Sequence, residues 1–242
     1  MSTLTATTEV VILDEAGPTA SHSEVLSKTD LIIGTVIALV MATAFTLLSS
    51  GLSLIVTFVP GVVVAWLTYV WLYLNKRHLP SGATFLPVFF VALAVQFIHF
   101  AEEFTTGFRT SFPLLYAGTP YSADLFVTFN MAAYFIFTLT CILVFTKSFR
   151  FLLVPSLFFI IYGAIGNAIS HTWWSLYLGA YFPGLVTAQL YWIVGPFLLY
   201  KLVGRPKVSL VITTLFALAL IPLLTIFASA APNTFLVDAA TR

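Results

Sequence analysis

Seven apolar runs of about 20 residues, separated by short polar loops, constrain the fold of this chain more than any other feature. The hydrocarbon core of a bilayer is about 30 Å thick and a helix rises about 1.5 Å per residue, so a crossing helix needs about 20 mostly apolar residues. The runs cover residues 31–48, 52–74, 84–104, 123–145, 152–178, 185–203 and 208–229. The sequence therefore predicts an all-α, polytopic transmembrane bundle of about seven helices.

Composition separates the chain from soluble proteins. Hydrophobic residues make up 60% of it and charged residues 8%, whereas roughly a quarter of the residues in soluble domains are charged. The formal net charge of +1, without a basic patch, argues against a nucleic-acid partner. The single cysteine, Cys141, excludes an intrachain disulfide and a cysteine-based metal cluster. Membrane lipid is the expected partner of the outer surface.

The distribution of polar residues divides the chain into three predicted segments. Residues 1–30 are rich in Ser, Thr and acidic side chains, which predicts a disordered tail. The tail lacks a basic stretch followed by an apolar core, so it does not resemble a cleavable signal peptide. Residues 31–230 form the predicted transmembrane domain, and residues 231–242 form a short C-terminal tail.

Loop charges predict the orientation of the bundle. In a seven-helix model only two basic residues, Arg109 and Arg242, lie on one side. Since Lys and Arg are enriched in cytosolic loops, the other side is predicted to be cytosolic, together with the N-terminus. The basic residues assigned to that side are Lys28, Lys76, Arg77, Lys147, Arg150, Lys201, Arg205 and Lys207.

The motif His99-Phe-Ala-Glu102-Glu103 stands at the end of the third apolar run. Between residues 31 and 237 the only other acidic residue is Asp124. Inserting an ionised carboxylate near the centre of a membrane helix costs on the order of 3 kcal/mol of free energy. Intramembrane carboxylates therefore generally pair with other polar groups or have a functional role. The motif is therefore the first candidate for a functional site.

Other polar residues are predicted to reach the same depth as this motif, near the non-cytosolic face. His99 and Glu103 are four residues apart, so they share one side of a helix, and Asn167 and His171 are spaced in the same way on the fifth run. Asn130 lies about two turns into the fourth run. We therefore expect a polar chamber in which the catalytic residues are Glu103, Glu102, His99 and His171. The predicted substrate-binding residues are Gln96, Asn130, Asn167, Gln189, Trp174, Tyr177 and Trp192.

The favoured function is acid/base chemistry on a lipophilic small molecule without a cofactor, such as isomerisation, cyclisation, epoxide opening, hydration or hydrolysis. Burial and proximity drive the pKa values of two carboxyls apart, so one of Glu102 and Glu103 can act as an acid and the other as a base. His99 and His171 are candidates for relaying the proton.

Three alternatives remain open. One is a metal-dependent hydrolase or oxidoreductase, because His99, Glu103 and His171 make a two-histidine, one-carboxylate set that suits Zn²⁺ or Fe²⁺. A second is a proton-coupled transporter or small-molecule receptor, in which the same residues relay protons. The third is a purely structural role, in which the amides and imidazoles form hydrogen bonds between helices.

The motifs also resemble those of a known family. The run His99-x-x-Glu102-Glu103, followed by Asn167-x-x-x-His171, is similar to the HXXEE family of integral membrane proteins. The resemblance covers about residues 84–171. It implies a multi-pass helical protein in which these residues matter, and it implies no particular reaction.

Overall fold

The computed structural model describes residues 25–228, and within that range every regular element is a helix. Most of the predicted N-terminal tail and all of the predicted C-terminal tail lie outside the described residues. The helices are α1 (Lys28–Leu48), α2 (Ser53–Leu74), α3 (Gly82–Thr106), α4 (Phe108–Leu114), α5 (Ala123–Lys147), α6 (Leu153–Phe158), α7 (Asn167–Leu178), α8 (Leu185–Ala188), α9 (Tyr191–Val203) and α10 (Pro206–Phe227).

Six helical segments within the described residues are long and apolar enough to cross a membrane. Five are single helices, namely α1, α2, α3, α5 and α10. The sixth is the continuous segment Arg150–Leu178, which contains α6 and α7. At about 1.5 Å per residue, segments of 21 to 29 residues all exceed the length that the hydrocarbon core requires. The prediction of an all-helical bundle of membrane-crossing length is therefore confirmed.

The predicted span 185–203 is not one long helix. It contains the four-residue helix α8, a turn at Gln189 and Leu190, and the 13-residue helix α9. Helix α9 alone spans only about 20 Å. Its apolar run continues through the turn, so hydropathy alone does not reveal the interruption.

The segment Arg150–Leu178, which we call the central helix, is the most enclosed element of the bundle, with 83% of its apolar window buried. Glycines on its neighbours permit this packing: a Cβ on Gly61 of α2 would lie 2.7 Å from Tyr162 Cβ, and one on Gly195 of α9 would lie 2.8 Å from Ile165 Cγ1. A buried central helix brings its polar side chains among the other helices and away from lipid.

The central helix widens into a π-helical segment at Phe159–Gly166, just before α7. A π-helical turn frees backbone carbonyls from the usual i to i−4 pattern and often lies at a functional site. Here the Asn167 side-chain amide donates a hydrogen bond of 3.0 Å to the Gly163 carbonyl oxygen. Asn167, predicted to face a chamber, thus also satisfies part of the widened backbone.

The two ends of the bundle are tied by different contacts. At the end where α1 begins, the Tyr69 hydroxyl donates to the Asp30 carbonyl oxygen at 2.7 Å, and Arg77 donates to the Val203 carbonyl oxygen at 3.3 Å. At the opposite end, the Leu52 amide donates to the Tyr116 carbonyl oxygen at 2.9 Å. The last turns of α3, which carry His99 and Glu103, lie toward this second end.

Candidate functional site

The site begins with a stripe of polar side chains on the inward side of α3. Gln96, His99 and Glu103 recur at intervals of three and four residues, and all three are buried. Gly107 then ends the helix in a left-handed conformation, with φ of +89°. The motif thus occupies the final two turns of α3.

Three of the predicted residues meet around one carboxylate oxygen. Glu103 Oε1 lies 3.4 Å from His99 Nε2 and 3.3 Å from His171 Nε2. Both imidazoles are fully buried, and Glu103 is 5% exposed. We call His99, Glu103 and His171 the cluster. The structure therefore joins α3 to the central helix through the side chains that the two motifs supplied.

Aromatic rings enclose the His171 side of the cluster. The imidazole centroid of His171 lies 4.8 Å from that of His99, 5.1 Å from the ring of Phe108 and 5.0 Å from that of Trp174. Trp174, predicted to bind substrate, is buried and donates to the Tyr116 hydroxyl at 2.8 Å. Its position beside His171 shields the cluster from solvent.

Residues 179–190, which we call the strap, cross the cluster between the central helix and α9. The Pro183 carbonyl oxygen lies 2.7 Å from His171 Nδ1, and the Thr187 hydroxyl lies 2.9 Å from His99 Nδ1. Between them Gly184 has φ of +87°, and a Cβ at that position would lie 2.6 Å from His171 Cε1. Only glycine fits this conformation and this close approach.

Glu102 holds the strap instead of joining the cluster. Its carboxylate accepts hydrogen bonds from the Tyr181 hydroxyl at 2.7 Å, from the Val186 amide at 3.0 Å and from the Thr187 amide at 2.7 Å. The Thr187 hydroxyl also donates to it. Successive helix residues point about 100° apart, so Glu102 faces the strap while Glu103 faces inward.

Burial and this contact with Glu102 also affect Tyr181, which lies in the strap outside the membrane-spanning helices. Partial burial, and then the hydrogen bond that it donates to the Glu102 carboxylate, raise the pKa of the Tyr181 hydroxyl above its ordinary value. The hydroxyl therefore stays protonated and able to donate across the neutral pH range.

A cavity of about 80 Å³ extends from Glu103 along the inner sides of α3, α5 and the central helix. On this measure one water molecule needs about 10–15 Å³, so the space accommodates several waters or the reacting end of a larger ligand. Among its lining residues Glu103 is the only carboxylate or imidazole. Its apolar walls include Phe45, Phe58, Phe108, Phe129, Phe137 and Phe158.

Amide and hydroxyl groups form a chain along one wall of the cavity. Gln96 donates to the Tyr134 hydroxyl at 2.8 Å and accepts from the Tyr191 hydroxyl at 2.7 Å. Tyr134 in turn donates to Asn130 Oδ1 at 3.0 Å. Both Asn130 and Asn167 line the cavity together with Gln96. The structure thus brings these three predicted binding residues to one space.

Three other predicted binding residues lie elsewhere. Gln189 and Trp192 are exposed, and both donate to the Thr172 hydroxyl, at 3.1 Å each. Tyr177 donates to the Ala228 carbonyl oxygen at 3.1 Å. None of the three lines the cavity described above.

Sequence reasoning missed the groups that orient the two imidazoles, namely Pro183 and Thr187, and the glycine between them. Their segment, Tyr-Phe-Pro-Gly-Leu-Val-Thr, has turn-forming residues but no charged or periodic polar pattern that would mark a site. Tyr134 was missed for a similar reason, because an aromatic residue in an apolar run normally packs in the core.

The six apolar helical segments of spanning length in residues 25–228, together with a buried polar cluster, indicate a multi-pass membrane protein. No protein-family model, characterised protein or solved structure matches this chain. The resemblance to the HXXEE family therefore stays a prediction from the motifs.

Proposed function

We propose that this chain is an integral membrane enzyme that acts on a lipophilic small molecule by acid/base chemistry. The observation that carries the proposal is the position of Glu103. It belongs to the buried cluster and also lines the apolar cavity, so it connects the chemically active groups to a space for a substrate.

The cavity walls favour a lipophilic substrate. Phenylalanine is the most frequent residue type in the lining, while Asn130 and Asn167 offer amide groups that can orient a substrate oxygen or a water molecule. The cavity-lining residues Leu48 of α1 and Leu125 of α5 are 41% and 42% exposed. Both lie on apolar helices, which supports access for the substrate from the lipid phase.

In this proposal His99, His171 and Glu103 together hold the proton that is moved. The proton reaches the substrate at Glu103, because the two imidazoles do not line the cavity. Its carrier is either the Glu103 carboxyl itself or a water bound to an ion among the three side chains. Glu102 acts through the strap and does not touch the substrate.

The proposal includes an orientation. Eight basic residues in the loops and helix ends on the side of the α1 N-terminus favour a cytosolic location for that end. The cluster then lies near the non-cytosolic face, where a lipophilic molecule would enter from the corresponding leaflet. The HXXEE motif resemblance agrees with the choice of residues.

A conversion assay in detergent tests this function. The full chain is incubated with a total lipid extract of its native membrane, and the wild type is compared with Glu103→Gln by mass spectrometry. Asp124→Asn is the matched control, since Asp124 is an exposed acidic residue at the start of α5. We expect the wild type and Asp124→Asn to convert a lipophilic species that Glu103→Gln leaves intact.

Two results would contradict the proposal. One is equal conversion by Glu103→Gln and the wild type. The other is accumulation of an unchanged molecule inside sealed vesicles without any conversion in detergent, which would indicate a transporter.

A further inference from the structure

The hydrogen-bond partners of the two imidazoles fix where their protons lie. A carbonyl oxygen only accepts, so His171 Nδ1 must donate to the Pro183 oxygen 2.7 Å away. The Thr187 hydroxyl donates its hydrogen to the Glu102 carboxylate, so it accepts from His99 Nδ1 at 2.9 Å. In each neutral ring the remaining nitrogen, Nε2, therefore carries a lone pair.

Both of these lone pairs point at the same carboxylate. His99 Nε2 and His171 Nε2 are buried and have no hydrogen-bond partner in the described part of the chain, although Glu103 Oε1 is 3.4 Å and 3.3 Å away. Without a positive charge between them, these three electron-pair donors repel one another. The arrangement is therefore complete only with a cation at its centre.

The separations distinguish a metal ion from a proton. Charge-assisted hydrogen bonds between nitrogen and a carboxylate oxygen are about 2.7–2.9 Å long, shorter than both contacts. Two ligand atoms bound tetrahedrally at about 2.0–2.1 Å lie about 3.3–3.4 Å from each other. The contacts of 3.3 Å and 3.4 Å match this second spacing.

We infer that His99 Nε2, His171 Nε2 and Glu103 Oε1 bind one divalent transition-metal ion, Zn²⁺ or Fe²⁺. One ligand atom from each of the three residues lies within 4.8 Å of the other two, so a movement of at most roughly 1.4 Å brings each pair to about 3.4 Å. Two imidazole nitrogens and one carboxylate oxygen are a donor set that both ions accept.

The surroundings have the features that stabilise such a site. Metal-bound histidines usually donate their other N–H to a carbonyl or similar oxygen, which fixes the ring, and both Nδ1 atoms here do so. Glu102 supports one of these contacts by fixing Thr187. The close approach of Gly184 to His171 and Glu103 covers the cluster on the strap side. Glu103 also lines the cavity, so an ion held by the cluster would lie next to that space.

This inference deepens the proposed function and rests on it only for the role of the ion. A water in the open position would be a stronger acid than free water. His99, His171 and Glu103 would hold the ion, and its Lewis acidity would support the donation of a proton at the Glu103 end of the cavity. The metal site itself is inferred from the geometry of the cluster alone.

Metal content of the purified full chain tests the site directly. Elemental mass spectrometry of the wild type in detergent is compared with His99→Gln, His171→Gln and the control His78→Gln. His78 is an exposed histidine in the loop between α2 and α3. We expect one Zn or Fe per chain in the wild type and His78→Gln, and a loss of at least tenfold in the two cluster variants, with all four eluting as folded protein.

A spectroscopic measurement keeps the test independent of the variants. Metal-depleted wild type is titrated with Co²⁺, and a four-coordinate site gives intense visible absorption bands that saturate at one ion per chain. No bound metal together with no such bands would overturn the inference, as would metal retained in both His99→Gln and His171→Gln. Conversion of a lipid species by metal-free protein would leave the proposed function standing and would exclude a role for the ion in that conversion. Stoichiometric metal without any conversion would support the metal site and contradict the proposed function.

Discussion

Glu102 and Thr187 are joined twice, because the Glu102 carboxylate accepts hydrogen bonds from both the backbone amide and the hydroxyl of Thr187. The adjacent Glu103 points the other way, into the cluster. Two neighbouring carboxylates of one motif thus have separate tasks. Glu102 fixes the strap that orients the imidazoles, and Glu103 meets the cavity.

Replacing Glu102 should weaken the bundle end that carries the strap. Glu102→Gln removes the charge from four hydrogen bonds, and hydrogen bonds to charged groups contribute more than neutral ones. We expect a loss of about 1–2 kcal/mol in the free energy of unfolding, measured by thermal unfolding in detergent. Asp124→Asn should change the midpoint much less. Equal unfolding midpoints for Glu102→Gln and Asp124→Asn would show that the Glu102 carboxylate does not stabilise the strap.

Gly184→Ala should disrupt the cluster. The left-handed backbone alone costs about 1 kcal/mol for alanine, and the added Cβ also collides with His171 and Glu103. Gly179→Ala is the matched control, since Gly179 also has positive φ but its Cβ would meet nothing within 4 Å. The expected loss is about 2–3 kcal/mol for Gly184→Ala and about 1 kcal/mol for Gly179→Ala. Similar unfolding midpoints for Gly184→Ala and Gly179→Ala would contradict the close approach of Gly184 to His171.

Filling the cavity should block the substrate without unfolding the protein. Ala133 lines the cavity, whereas its neighbour Ala132 is exposed on the outer side of α5. Ala133→Phe is therefore expected to raise KM or abolish turnover, while Ala132→Phe leaves kinetics unchanged. Lipid conversion rates measure the difference. Unchanged kinetics in Ala133→Phe would place the substrate elsewhere.

The raised pKa of Tyr181 predicts a pH dependence. A pKa that is higher in the folded state adds stability below the ordinary tyrosine pKa of about 10, and this stability is lost as pH rises through the folded-state value. The wild type should therefore exceed Tyr181→Phe in unfolding midpoint by a constant amount at neutral pH, and the difference should shrink above about pH 10. A difference that grows with alkaline pH would contradict the hydrogen bond to Glu102.

Much of the site was predictable because helix periodicity decides which residues share a face. The four-residue spacings of His99 with Glu103 and of Asn167 with His171 were enough to predict that α3 and the central helix contribute polar side chains to one site. The direction of Glu102 was not predictable, because whether it faces the strap or the cavity depends on where the strap passes. The exposed positions of Gln189 and Trp192 follow from the turn between α8 and α9, which an apolar sequence conceals.

The separation of roles between the adjacent carboxylates is tested most directly by their turnover numbers on the same lipid species. Glu103→Gln is expected to lower kcat by about 10²- to 10⁴-fold in protein that still elutes as folded, because acid/base groups contribute on that scale. Glu102→Gln should keep measurable turnover and unfold at a lower temperature. Wild-type turnover in Glu103→Gln, with loss of turnover confined to Glu102→Gln, would contradict the assignment of Glu103 as the residue that meets the substrate.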